Sequence, residues 1–253
     1  MWTNRKYADI DTVLTTLYSR GLFYTLLTAA VLFNGWMLEG FIYTYQAWSH
    51  MWISEIEIVS QPWSWLFRSL DASSYLAMLF ATSIAVFALV RYKGPAKSWM
   101  CLAFTLVGIM ALLGFFDLTH SLDCVRYQHP ICLAQVTTHA ISRTAMLHSL
   151  ESHATAAASI LYGVVVAYII RLHDKTSRLY PISSLIAVGI TGTLCILGYS
   201  NSLFVESIAQ RSWNTFLSLQ FVVLAYYLRK TAQAKQAPIQ SFLFNPTSQN
   251  SHT

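Results

Sequence analysis

Charge is scarce in this chain of 253 residues: 11% are Asp, Glu, Lys or Arg, against about a quarter in soluble globular proteins. With 55% hydrophobic residues and a mean hydropathy of +0.46, that scarcity excludes an ordinary soluble domain. The turn-bounded apolar runs of about 4 to 8 residues that mark a soluble α/β fold are missing too. Although the net charge is +5, no Lys/Arg run or aromatic–basic platform accompanies it, so no nucleic-acid partner is expected. There is no internal repeat of the kind that builds inverted-repeat transporters. Neither H-E-x-x-H nor G-x-S-x-G occurs, which removes the usual signatures of a zinc protease and a serine nucleophile. A cleaved signal peptide is not expected either, because residues 1–20 are polar, the first apolar run is too long and no small-residue site ends it.

Long apolar runs are what the chain has instead. Six are legible, at approximately 22–45, 70–90, 99–118, 148–170, 182–204 and 210–228. About 20 residues at 1.5 Å each cross roughly 30 Å of hydrocarbon. The fold class expected is therefore all-α, a six-transmembrane-helix antiparallel bundle in one domain, residues 21–230. A cytoplasmic segment, residues 1–20, precedes it, and a Gln/Ser/Asn/Pro-rich tail, residues 231–253, is expected to be disordered. An up-and-down series puts Arg5, Lys6, Arg20, Arg91, Lys93, Lys97, Arg171, Lys175, Arg178, Arg229, Lys230 and Lys235 on one side. Only Arg68, Arg126, Arg143 and Arg211 fall elsewhere. This positive-inside bias predicts a multi-pass plasma-membrane protein with both termini cytoplasmic.

Polar chemistry then gathers on the outer side. The stretch from Asp117 to His153 holds Asp117, His120, Asp123, Cys124, His129, Cys132, His139, His148, Glu151 and His153. Within the fourth span, His148, Glu151, Ser152, Thr155 and Ser159 recur at three- and four-residue spacing and so share one helix face. His153 points about 140° away from His148. Such a stripe either hydrogen-bonds neighbouring helices or lines a pocket. Asp71, Asp117, His120, His148, Glu151, His153 and Arg211 are the candidates for an outward-facing polar cavity, with Glu39 and Glu206 at similar depth. Intramembrane ionisable groups are costly enough that each demands a partner or a role. For Arg211 the expected partner is an acid on another span, Asp71 or Asp117 first, the alternative being contact with lipid phosphates.

Between the first two spans, residues 49–71 carry Glu55 and Glu57, then Trp63, Trp65 and Arg68. One reading is an interfacial segment with tryptophans at head-group level and Arg68 on phosphates. The other is a lid over the outer mouth of the bundle. The run ISEIEIVSQPWSWLFRSLD, together with Asp123-Cys124 and Cys132 in the second outer loop and Gln210-Arg211 entering the last span, resembles a bacterial six-span family catalogued as domain of unknown function 998. That resemblance covers roughly residues 20–230 and implies the six-span topology, but no activity. The family's fourth span opens with two histidines three residues apart. Here His148 and His153 are five apart, so that pair does not carry over intact.

Cys124 and Cys132 lie where thiols oxidise, and a disulfide closing their short loop is worth roughly 2–3 kcal/mol. The alternative is a thiolate metal site with His120 or His129, for which the spacing is wrong. Cys101 and Cys195 read as buried small hydrophobes. The functional expectation is a bundle that binds a lipid or small molecule, without a cofactor. One alternative is a zinc-dependent membrane hydrolase of lipid amides or esters using Asp117, His120, His148 and His153. The other is a non-catalytic subunit of a membrane assembly whose partner protein is unknown.

Overall fold

The computed structural model describes residues 3–44, 49–58, 60–91, 96–120, 122, 124, 125, 131, 132, 134, 142–173, 179–197 and 203–244. Side chains at 3–17, 91, 173, 179–180, 187, 191, 194–197, 203 and 234–244 are excluded from that description. Asp123, His129 and His139 fall outside it, as do residues 245–253.

Among the described residues the fold is all-helical. The long helices are α1 (Thr3–Phe33), α4 (Ser64–Arg91), α5 (Lys97–Thr119), α6 (Arg143–His173), α7 (Leu179–Leu197) and α8 (Leu203–Phe244). Two single-turn helices, α2 (Glu39–Ile42) and α3 (Ile53–Ile56), lie between α1 and α4. Each long helix packs on the next, and α8 returns to α1, so the six close into a ring. Helix α4 runs antiparallel to both α1 and α5. Gly21 of α1 and Gly35 just beyond its end meet Ile84 and Leu70 of α4, while Gly108 and Gly114 of α5 meet Thr82 and Tyr75.

Three helices are long and apolar enough to cross a membrane: Ser64–Val90, Lys97–Thr119 and Arg143–Leu172. Tyr18–Phe33 and Gly35–Ile42, bent by 41°, make a fourth span if taken together. The remaining two expected spans differ for a physical reason. Helix α7 contributes a shorter apolar piece, Pro181–Ile190. Helix α8 turns Ser207, Arg211, Asn214, Ser218 and Gln220 into the bundle, all buried, and that inward stripe dilutes its hydropathy. Helix α8 also continues to Phe244, into the segment 231–253 expected to be disordered.

The first span is not the continuous 22–45 helix expected. It breaks at Asn34, whose amide donates to Ala30 O at 2.7 Å and to Ser218 Oγ at 2.6 Å. A side chain bonded to a backbone carbonyl four residues back competes with the helix ladder and favours a bend. Gly35 lets α4 come close there, since a Cβ would sit 2.7 Å from Leu70 Cδ1. The consequence is that Glu39 turns inward and is fully buried.

The main core lies in the middle and lower bundle, built on Leu26, Met78, Phe104, Met110, Tyr162, Ile169, Ile170, Phe221 and Leu224. A second, smaller core sits above it: Met51, Ile56, Ile58 and Phe67 pack with Val125, flanked by Ile42, Tyr43 and Leu122. This upper core joins residues 49–67 to the second connecting loop. That loop is tied by a Cys124–Cys132 disulfide with Cα atoms 6.0 Å apart. Cys101 is exposed on α5 rather than buried. The side chain of Cys195 lies outside the described residues.

Candidate functional site

Two charged groupings form at the same end of the bundle. The first is built on α8. Arg211 Nε and Nη2 donate to Glu39 Oε1 and Oε2, each at 2.8 Å, in a bidentate pair. Its Nη1 donates to Met51 O at 2.8 Å, to Ser207 O at 3.1 Å and to the Ser207 hydroxyl. The guanidinium carbon also lies 5.9 Å from the centre of the Trp36 ring. Arg211 is thus paired inside the bundle to an acid on another helix, but neither Asp71 nor Asp117 is the partner. The break at Asn34 turns Glu39 inward toward the neighbouring α8, which no depth count along a straight helix anticipates.

The same end of α8 holds residues 49–58 in place. Gln210 Oε1 accepts from Ile53 N at 2.7 Å, Glu206 Oε2 accepts from Trp52 Nε1 at 3.1 Å, and buried Glu55 caps Trp52 N at 2.7 Å. Beyond them the chain turns at Trp63, whose φ of 65° is unusual for a bulky residue. The turn leaves Trp63 and Trp65 half or more exposed, their rings 6.2 Å apart. Arg68 does not reach outward. Its Nη2 donates to Leu118 O at 2.6 Å, and Nη1 approaches Glu57 O at 3.5 Å. Leu118 is in the last turn of α5, where carbonyls lack helical partners, so Arg68 acts as a C-terminal cap.

The second grouping is the candidate site. Glu57, immediately after α3, lies near Asp71 on α4, and Asp117 is close to both. Tyr75 lies one turn beyond Asp71 on the same face of α4. Gly114 makes room for that ring, since a Cβ there would collide with Tyr75 Cζ. On the other side of Asp117, His148 Nδ1 stands 2.9 Å from Asp117 Oδ1 and 2.9 Å from His120 O. Ser152 Oγ donates to Asp117 Oδ1 at 3.4 Å. His120 Nδ1 completes the layer at 3.0 Å from Glu151.

The histidine tautomer follows from its partners. His148 Nδ1 faces two acceptors, a carboxylate and a carbonyl, so it carries the proton. Nε2 is left without a hydrogen-bond partner, although the residue is only 4% exposed. An oriented imidazole with a carboxylate on one nitrogen and the other uncommitted can accept, donate or relay a proton at Nε2. Glu57 belongs to the same electrostatic unit. Withdrawal from water, then the neighbouring Asp71 and Asp117 charges, push its carboxyl well above the usual carboxylate range, with Arg68 a smaller opposing influence.

Of the residues singled out by sequence, Asp71, Asp117, His120, His148 and Glu151 come together, joined by Glu57 from the expected lid. Arg211 belongs to the other grouping. His153 is exposed on α6 and bonds back to Ser149 O. The zinc set Asp117, His120, His148 and His153 is therefore not assembled, and no group of three His, Cys, Asp or Glu among the described residues is placed to hold a metal. Sequence reasoning missed Tyr75 and the approach of Glu57 to Asp71. The four-residue step from Asp71 to Tyr75 was the available signal for the first; none pointed to the second.

No protein-family model, curated protein or solved structure matches the chain.

Proposed function

We propose that the protein is a multi-pass plasma-membrane protein that binds a polar small molecule or a lipid head group at the outer end of a six-helix bundle. In this reading both termini are cytoplasmic, the site is the Glu57–Asp71–Asp117–His148 layer, and residues 49–63 are its lid. The Lys/Arg distribution along the chain supports the orientation. The sequence likeness to the six-span family agrees with it.

One observation carries the functional part: the unpartnered Nε2 of buried His148. An unsatisfied polar atom away from water costs about 1–3 kcal/mol, so retaining one inside this layer calls for a use. The depth of the site also matters. Apolar residues of the main core, Tyr162, Val165, Val166, Ile169 and Ile170 on α6 with Phe221 and Leu224 on α8, lie below the layer. That arrangement favours a blind binding site over a conduction path.

The test compares purified full-length wild type with His148→Ala. Small molecules and lipids retained by each are extracted and quantified by mass spectrometry. The expected result is a compound held in stoichiometric amount by wild type and depleted by tenfold or more in His148→Ala. Equal content of every retained compound in the two proteins removes the reading.

A further inference from the structure

His148 is held by one side of its ring. Nδ1 stands 2.9 Å from Asp117 Oδ1 and 2.9 Å from His120 O, and with two acceptors facing it that nitrogen carries a proton. Nε2 is one ring carbon away, so it lies in the same layer, and it is buried without a partner. As a neutral imidazole, His148 presents there a lone pair that calls for a donor. Protonation would turn Nε2 into a donor instead, and the anion needed to accept from it would have to sit among carboxyl groups.

Those carboxyl groups decide the charge of the ligand. Asp117 bonds His148 and Ser152, and Glu151 lies 3.0 Å from His120. Asp71 and Glu57 are close to Asp117 on its other side. Arg68 is the permanent cation beside them, and its guanidinium is committed to the carbonyls of Leu118 and Glu57. Arg143, at the start of α6, is exposed. Even with Glu57 left out, Asp71, Asp117 and Glu151 outnumber Arg68. An excess of negative charge where water screens little repels an anion and attracts a cation. The side chains of Asp117 and Glu151 keep 22% and 13% of their surface exposed, so a cation arriving from this end of the bundle meets them before it reaches Nε2.

We infer that the ligand carries a positively charged nitrogen with at least one N–H, a primary or secondary ammonium, which donates to His148 Nε2 and is balanced by Asp117 and the acids beside it. The inference rests on reading this layer as the binding site, and it names the chemical class that the site takes. An N–H on a charged nitrogen makes the stronger, charge-assisted kind of hydrogen bond. A quaternary ammonium has the charge but no donor, and an anion has the wrong charge for these surroundings. A free amine and the amino head group of a phospholipid share the recognised chemistry.

Two arms of one binding experiment on the full-length protein test it and separate those sources. In the first, protein in phosphatidylcholine nanodiscs is titrated calorimetrically with ethanolamine, choline and inorganic phosphate. In the second, native mass spectrometry of detergent-solubilised protein compares phosphatidylethanolamine, phosphatidylcholine and phosphatidylglycerol. In at least one arm the primary amine is expected to bind about tenfold or more tightly than its trimethylated and anionic counterparts, the scale of one hydrogen bond to a charged group. The arm that shows the preference identifies a free amine or a lipid head group as the source. His148→Ala should abolish the preference. If that variant does not fold, Asp117→Asn, which keeps the side chain's size and removes its charge, should weaken amine binding instead. Equal or tighter binding of the trimethylated or anionic probes, no binding of either primary amine, or amine binding unchanged in whichever variant folds overturns the inference. A compound that wild type retains and His148→Ala loses, but that carries no N–H ammonium, also overturns it while leaving the binding site itself standing.

Discussion

Arg211 and His148 sit at the same end of the bundle, are about equally buried and each meet an acid from a neighbouring helix. They differ in completeness. Arg211 spends Nε and both terminal nitrogens on Glu39, Met51 and Ser207. His148 spends one nitrogen on Asp117 and His120 and leaves the other unpartnered. Saturated charge chemistry of the first kind fixes geometry: it joins the broken end of α1, the 49–58 segment and α8. Unsaturated chemistry of the second kind is available to something outside the chain. The difference teaches that in a low-dielectric bundle the location of a charged residue says less about its role than whether its hydrogen-bonding capacity is used up.

If that contrast is right, the largest loss of stability comes from breaking the saturated pair. Arg211→Leu leaves Glu39 buried without its counter-charge and should cost about 3–5 kcal/mol, read as thermal unfolding in detergent. Glu39→Leu added to it should recover much of the loss, since the double variant removes both charges. If the double variant is as unstable as the single, the pair is not the source of the cost.

Next in size is the disulfide that ties the second loop to the upper core. Cys124→Ser should cost roughly 2–3 kcal/mol. In folded protein neither Cys124 nor Cys132 should react with a maleimide until reductant is added. Labelling without reductant contradicts the bridge.

His148→Ala sharpens the contrast from the other side. It removes the bonds to Asp117 and His120 O, and hydrogen bonds to charged groups are worth about 1.5–3 kcal/mol each. Part of that is offset because the unpartnered Nε2 goes too, so the loss should be smaller than for Arg211→Leu. Retained ligand should fall in His148→Ala and be kept by those Arg211→Leu molecules that remain folded. The reverse pattern, with ligand lost only at Arg211, would exchange the two roles.

The pH dependence isolates Glu57. Its carboxyl is held above the ordinary value of 4.5, so the folded state keeps a proton that the unfolded chain releases. The stabilisation is complete below the ordinary Glu range and is lost as pH rises toward the raised value. Melting temperature should therefore decline with rising pH in wild type and decline less in Glu57→Gln. A wild-type melting temperature that climbs over the same interval would show Glu57 to be ionised in the fold. The smallest effect belongs to Trp65→Ala. Trp65 is largely exposed and should change stability in detergent by under about 0.5 kcal/mol, marking the edge of the region where polar pairing matters.

Much of this molecule is legible in its amino-acid sequence alone. Apolar runs specify helices because length and hydropathy are local quantities. The stripe His148, Glu151, Ser152, Thr155, Ser159 indicates one face by spacing alone, and in the fold it turns inward, with Ser152 on Asp117 and Ser159 accepting from Trp213. Cys124 and Cys132 are eight apart in one short loop, and they bond. What the tertiary structure decided is which charges meet. Glu39 finds Arg211 across 172 positions because the chain bends by 41° at Asn34 and turns Glu39 inward toward α8. Glu57 comes near Asp71 in a segment that α8 holds at Met51 and Ile53. Such pairings depend on helix rotation, depth and bend to within a few ångströms, and hydropathy along a chain carries no information about any of the three.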